Sequence, residues 1–450
     1  MSLLPLDWRD RVAFDRTHAW HPFTQEKEHL ADPPLPVIGA EGVDYLLADG
    51  RRVLDGISSW WCNIHGHGHP RLIGAMERQG ARLDHVMFAG FTHEPALELI
   101  ARLKPRLPRT LTRCFFSDSG STAVEVALKM AFQAQLQKGE CGRVRFGALR
   151  DGYHGDTLGA VGVGELENWL TGLFRPLLMA CDRLAVPEDP RTELCHESPE
   201  NGIEMAIEEI RRYFSAHGPT MAAFIAEPLV QGAGGMRFWA PELLAEISVQ
   251  CNNYGVYLIL DEVMTGFGRT GNFFALDTCG VEPDFLCLAK GLTGGLLPLA
   301  LTLTTDAVYN LFWGDFSEGR TFFHGSTHTA NAIACAVACA SLSLFDDGSL
   351  GKRTEQLAIA MRQSWAQLSG HPSIRKARVL GCIAAAQIVD PKTGAARDPN
   401  LRYGWKLHRK ALDHGLLIRP MGDCLYLMPP LVTPPERVHE AVDVIEKILD

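Results

Sequence analysis

Short apolar, β-branched runs recur along the middle of the chain, each separated from the next by a stretch with helical spacing or by a loop. They lie at Arg143 to Leu149, Ala222 to Ala226, Val256 to Leu260, Asp284 to Leu288 and Leu299 to Thr304. Continuous apolar runs of this length predict strands buried on both faces, and their alternation with helical stretches predicts a mainly parallel, doubly wound sheet. After the strand-like CFFSDSGS, Ser121 to Gln137 has helical spacing. Val124, Ala127, Leu128, Ala131 and Leu136 supply its apolar positions, and Glu125 and Lys129 read as an exposed ion pair one turn apart. From about Asp346 the chain becomes richer in charge and in helix formers, then closes on LIRPMGDCLYLMPPL, which reads as strand, turn and strand. The expected class is α/β. Residues 58–345 are expected to form a large domain, 346–450 a smaller α+β domain, and 1–57 an N-terminal segment of that smaller domain.

A chain of 450 residues is long enough for two large lobes, and 43 glycines exceed the usual share of about 7%, which points to many turns and close backbone approaches. The 43 basic and 53 acidic residues leave a net charge of −10, and no stretch gathers five Lys and Arg. A surface that tracks nucleic-acid phosphates is therefore not expected, and small molecules are the expected partners. The opening MSLLPLDWRDR has an acid at Asp7 and no basic segment ahead of a long apolar run, and no span of 18 apolar residues occurs. A soluble, cytoplasmic protein with no membrane partner is expected. Twelve cysteines are scattered without a Cys-x-x-Cys pair, which favours reduced, mostly buried thiols. Cys335 and Cys339 stand one turn apart in AIACAVACA and read as a packed helix face.

In sheets of this kind ligands bind beyond the carboxyl ends of the strands. Asp261 and Glu262 directly follow VYLIL, and Lys290 follows DFLCLA. A salt bridge between two strand ends would explain an acid and an amine there. So would a cofactor lying between them, with Lys290 as a Schiff-base amine of lowered pKa and Asp261 facing a positive ring nitrogen. Ser119, Gly120 and Ser121 open the helix, so free amides, a hydroxyl and the positive end of the helix dipole converge; an ordinary N-cap uses the same residues. No Gly-x-Gly-x-x-Gly follows a first strand and no Gly-x4-Gly-Lys-Ser/Thr occurs, which weakens nucleotide readings. Tyr153, between Gly152 and Gly155 in DGYHGDT, can lie flat on a planar ring or simply cover the core. An amine, a ring-nitrogen partner, a phosphate cup and a stacking face together suit pyridoxal 5′-phosphate.

The stretches SDSGSTAVEVALKMA, DGYHGDTLGA, IAEPLVQGAGGM, LILDEVMTGFGRTG and PDFLCLAKGLTGG resemble the class III aminotransferases of the pyridoxal-phosphate fold type I. Within that family HAWHPFTQ, SSWWCNIHGHGHP, HVMFAGFTHEPA, FHGSTHTANAIACA and LIRPMGDCLYLMPPL resemble the branch of biotin synthesis that uses S-adenosylmethionine as amino donor and 8-amino-7-oxononanoate as acceptor. A related branch uses lysine as donor. The resemblance implies that Lys290 carries the cofactor, Asp261 pairs with its ring nitrogen, Tyr153 stacks on the ring, and Gly120 and Ser121 hold its phosphate. It further implies a homodimer whose active sites are shared, with Thr327 reaching the phosphate of the other subunit. Arg419 would receive the substrate's distant carboxylate, and Trp60, Phe23 and Gly325 would line the substrate channel. The chain departs from the family pattern at Phe23, where Tyr is usual, at Ser326, where Pro is common, and at Ala233, where glutamate-using relatives carry Glu after Gln-Gly. The last departure disfavours an ornithine or 4-aminobutyrate substrate. His65, His67 and His69 have a spacing that could hold zinc, but no neighbouring carboxylate or Cys-x-x-Cys completes a set, and no metal is expected.

Overall fold

The computed structural model describes residues 7–165, 171–194 and 201–449. A seven-stranded sheet takes up the five expected apolar runs as β2 and β4 to β7: its strands are β1 Leu111–Ser117, β2 Arg145–Leu149, β3 Cys181–Leu184, β4 Met221–Ala226, β5 Tyr257–Asp261, β6 Phe285–Leu288 and β7 Ala300–Thr305. Their order is β1-β7-β6-β5-β4-β2-β3. Neighbours from β6 through to β3 run parallel, whereas β7 pairs antiparallel with both β6 and β1. Every residue of β4, β5 and β6 is buried, as runs without polar alternation require. Burying a Leu, Ile or Phe side chain contributes about 1.5–3 kcal/mol, so these strand ends form a stiff floor for whatever the following loops carry. The edge strand β3 has the sequence CDRL, which bears no apolar run, and its position emerges only from its pairing with β2.

Helix α1, Gly120–Gln137, follows β1 through the N-cap Ser119, whose side chain accepts from the Thr122 amide while the Thr122 hydroxyl accepts from the Ser119 amide. Its buried residues include Val124, Ala127, Leu128 and Ala131, which pack on the sheet. Glu125 and Lys129 do not pair as expected. The Glu125 carboxylate accepts from the amides of Gly159 and Ala160 at 2.7 and 3.2 Å, and Lys129 donates to His324 at 2.9 Å. Two backbone amides at a buried helix start offer a carboxylate more than an exposed ammonium does, because water screens the latter.

The two chain ends meet. Strands Val37–Glu41, Asp44–Leu47 and Arg52–Asp55 form a four-stranded sheet completed by Leu416–Leu417, which pairs parallel to Arg52–Asp55. Ile374–Leu380, Ile383–Ile388 and Cys424–Leu427 form a second, antiparallel sheet. Cys335 is fully buried in helix α2, Ala332–Ser343. Among the described residues no helix is long and apolar enough to cross a membrane.

Candidate active site

The carboxyl ends of the parallel strands deliver their following residues to one cavity of ≈ 340 Å³. Strand β1 leads into Asp118 and the Ser119–Ser121 helix start, β2 into Tyr153 and His154, β4 into Glu227, β5 ends on Asp261, and β6 leads into Lys290; all of them line it.

Asp261 is 5% exposed. Its carboxylate meets Nδ1 of the fully buried His154 at 2.8 Å and accepts from the Val263 amide at 3.0 Å. The side-chain partner of Asp261 is therefore His154, and the Lys290 amine lies instead over the Trp61 ring, 4.6 Å from its centroid. Burial pushes the Lys290 amine below its usual pKa, and the charges of Asp261 and Glu227 oppose that shift without cancelling it. Lys290 occupies a left-handed backbone conformation, φ +45°, at the start of a 3₁₀ turn. Such strain in a non-glycine residue persists only where surrounding structure enforces it.

Glu227 is buried and accepts from the amides of Tyr153 and Gly232, both at 2.9 Å. Burial lifts its carboxyl from 4.5 to about 7, against the neighbouring His154. The Tyr153 hydroxyl donates to Asp156 at 3.1 Å, and burial with that neighbouring charge raises its pKa. Glu262, the second strand-end acid, faces away: it accepts from the amides of Ala275 and Leu276 at 2.8 and 2.7 Å and serves the fold.

The helix start is shaped by two glycines. A Cβ on Gly120 would come 2.7 Å from Val263 Cγ1, and one on Gly155, at φ +119°, would come 1.9 Å from Ser121 Oγ. The Ser121 hydroxyl accepts from the Asp156 amide at 3.2 Å, which ties the Tyr153 loop to the first turn of α1. Ser119 closes the helix as its N-cap, and Gly120 and Ser121, the first residues of that helix, line the cavity beside it. A buried amine, a buried acid opposite, and an amide cradle that admits no Cβ fit a small aromatic phosphate with an electrophilic carbon.

The model of the family described as aminotransferase class-III matches residues 26–449. The chain is a class III aminotransferase. The adenosylmethionine-8-amino-7-oxononanoate aminotransferase of Synechococcus elongatus is 43% identical over 433 residues, covering 96% of this chain and 98% of that protein. The protein of the same name from Geobacter sulfurreducens is 39% identical, covering 96% of each. Among solved structures, the adenosylmethionine-8-amino-7-oxononanoate aminotransferase of Methanocaldococcus jannaschii superposes with a TM-score of 0.92 at 32% identity, covering 98% of this chain and 99% of that one. An omega transaminase of Pseudomonas jessenii in complex with PMP gives 0.88 at 28% identity, covering 98% and 97%.

In this class III aminotransferase the remaining candidates lie outside the Lys290 cavity. Arg419 and Phe23 line a neighbouring cavity, and Trp60 stands between the two, its ring 5.5 Å from that of Phe23 and 5.3 Å from the Arg419 guanidinium. Thr327 and Gly325 are exposed on this chain and do not line its own cavity. Ser326 donates to Asp118 at 2.8 Å, a bond that the proline common at this position could not make. The histidines of IHGHGHP are held by protein groups: His65 bonds Ser341, with its pKa pushed down to about 3 by burial, His67 bonds the buried Asp55 at 3.0 Å, and His69 caps the helix Pro70–Arg82.

Sequence reasoning passed over Trp61, Glu227 and the part played by His154. The neighbouring tryptophans turn to different places because Ser58, Ser59 and Trp61 all have positive φ, so Trp61 faces Lys290 while Trp60 faces Arg419. His154 was adjacent to a named residue, and its pairing with Asp261 is the signal that finds it.

Proposed function

We propose that this aminotransferase moves the amino group of S-adenosylmethionine to 8-amino-7-oxononanoate, giving 7,8-diaminononanoate for biotin synthesis, with pyridoxal 5′-phosphate as its cofactor. The observation that carries the reading is the convergence of the Lys290 amine, its basicity lowered, and Asp261 on one cavity, beside a helix start in which Gly120 and Gly155 leave no room for a Cβ. The names of the relatives support the choice of substrates.

Gly120 and Ser121 would hold the phosphate through first-turn amides and the helix dipole, Tyr153 would cover the ring, and Asp261 would face the ring nitrogen. Bound there, the cofactor supplies an aldehyde that takes up an amino group and a ring that draws electrons from the carbon bearing it. Lys290 Nζ, its basicity lowered by burial, would take the proton from that carbon and deliver it to the cofactor's former aldehyde carbon on the other side of the shared nitrogen; such positioned proton transfer is worth about 10²–10⁴-fold. The same amine serves the acceptor in reverse. His154 and the Val263 amide fix the Asp261 carboxylate, and Glu227 fixes the Tyr153 backbone, so neither group has to reorganise. The Trp61 ring lies against the amine. Arg419 would pair with the single terminal carboxylate of the acceptor, with Trp60 and Phe23 along its methylenes.

We further propose a cytoplasmic homodimer in which Thr327, exposed on its own chain, completes the phosphate site of the other subunit. The test is amino transfer by the cofactor-loaded protein to 8-amino-7-oxononanoate, with S-adenosylmethionine, lysine and glutamate offered separately and the diamine followed by mass spectrometry. Product from S-adenosylmethionine alone is expected; product from lysine or glutamate alone would overturn the donor assignment.

A further inference from the structure

Beyond Arg419 lies a second cavity of ≈ 490 Å³ whose walls are unlike those of the Lys290 site. Its flat surfaces are guanidinium and aromatic planes laid on one another: Arg397 is 3.8 Å from the Tyr403 ring centroid, and Arg402 and Arg419 are 5.7 and 5.9 Å from that of Trp405. Trp405 is braced from behind by His408, ring centroids 4.6 Å apart, and its Nε1 donates to Asp32. Arg402 is held by Glu28 at 3.0 Å and sits at φ +50°, a left-handed conformation at the start of the helix Tyr403–Asp413. Against the three guanidiniums the lining sets three carboxylates, those of Glu28, Asp398 and Asp423. The cavity therefore carries no net charge. Apart from Arg419 at its inner edge, it offers little to a bare anion and much to a neutral, planar group with polar edges and hydroxyls, since aromatic and guanidinium faces stack heteroaromatic bases and carboxylates accept from sugar hydroxyls.

We propose that this outer cavity binds the adenosine end of the amino donor, with Trp405 as its stacking platform. The proposal rests on the reading of S-adenosylmethionine as donor and deepens it. Trp61 lines the Lys290 cavity and its neighbour Trp60 touches Phe23 and Arg419 of the outer one, so a donor whose amino acid reaches Lys290 would extend its base toward the outer cavity. A donor without a base, such as lysine, would leave these surfaces unused, and the acceptor's carboxylate needs to travel only as far as Arg419.

The probe is 5′-methylthioadenosine, which carries base and sugar without the amino acid. Calorimetric titration of the cofactor-loaded protein should show it binding and competing with S-adenosylmethionine. Trp405→Ala should weaken it tenfold or more, as loss of one base stack does, and Trp405→Phe should restore most of the affinity. In steady-state assays Trp405→Ala should raise the donor KM tenfold or more while the acceptor KM moves less than twofold. Failure of the wild type to bind the probe while still using S-adenosylmethionine would overturn the proposal and leave the donor assignment intact. Equal rises in both KM values would do the same. A wild type that transfers from lysine but not from S-adenosylmethionine would overturn both.

Discussion

Gly120→Ala isolates the helix start that would hold the phosphate. The added methyl would sit 2.7 Å from Val263 Cγ1 and 3.1 Å from Cγ2, inside contact distance for carbon, so either α1 or the loop after β5 must shift. Neither can move freely, because α1 is packed on the sheet and Val263 follows Asp261, which its own amide binds. Overpacking of this size typically costs about 1–3 kcal/mol. If the strain is taken up by moving the first-turn amides, the cofactor loses that energy, which corresponds to a dissociation constant raised about 5- to 150-fold. Fluorescence or absorbance titration of pyridoxal phosphate into wild type, Gly120→Ala, Val263→Ala and the double variant measures it. The double variant has room for the methyl and should recover most of the affinity, a coupling of about 0.5–3 kcal/mol. Unchanged affinity in Gly120→Ala, or no recovery in the double variant, would refute the assignment of this helix start.

The Glu227 carboxyl, raised from 4.5 to about 7 by burial, binds its proton more tightly folded than unfolded. Its stabilising contribution is therefore fullest at acid pH and is lost as pH rises from about 4.5 to about 7. Thermal midpoints over that interval should fall less in Glu227→Gln than in wild type, and parallel curves would contradict the shift. Arg419→Leu should raise the acceptor KM about 10- to 100-fold, since hydrogen bonds to charged groups are worth about 1.5–3 kcal/mol, and should change kcat little; an unchanged acceptor KM removes Arg419 from that role. Asp55, fully buried, binds His67 and the Ser59 amide beneath the strained Ser58–Trp61 turn. Asp55→Asn should cost about 3 kcal/mol, as breaking buried pairs does, visible as a lowered thermal midpoint; an unaltered midpoint would show that the pair does not hold the turn.

The central sheet was legible because strands buried on both faces leave an unbroken apolar signature, and β4, β5 and β6 carry it almost residue for residue. The reversed direction of β7 was not, since an apolar run looks the same either way along the chain, nor was β3, whose polar residues suit an edge. In the site, Asp261, Lys290 and the α1 start stood out because polar residues at the ends of apolar strands need partners. Glu227 and His154 did not, because what defines them lies across the fold: a carboxylate holding the Tyr153 and Gly232 amides, and an imidazole holding Asp261. Glu125 misled for the same reason, its helical spacing to Lys129 losing to amides brought in from Gly159 and Ala160. The orientation of Trp60 and Trp61 depends on three positive φ values that no residue in SSWW announces.

The central claim is that Lys290 carries the cofactor. The direct measurement is the visible absorption spectrum of the purified protein after incubation with pyridoxal phosphate and removal of the excess, taken for wild type and Lys290→Ala, with mass spectrometry after borohydride reduction. Wild type should retain a visible band that reduction bleaches, leaving the cofactor mass on the peptide that contains Lys290, and Lys290→Ala should show no such adduct. An adduct on another lysine, or a wild type that retains no cofactor at all, would contradict the account.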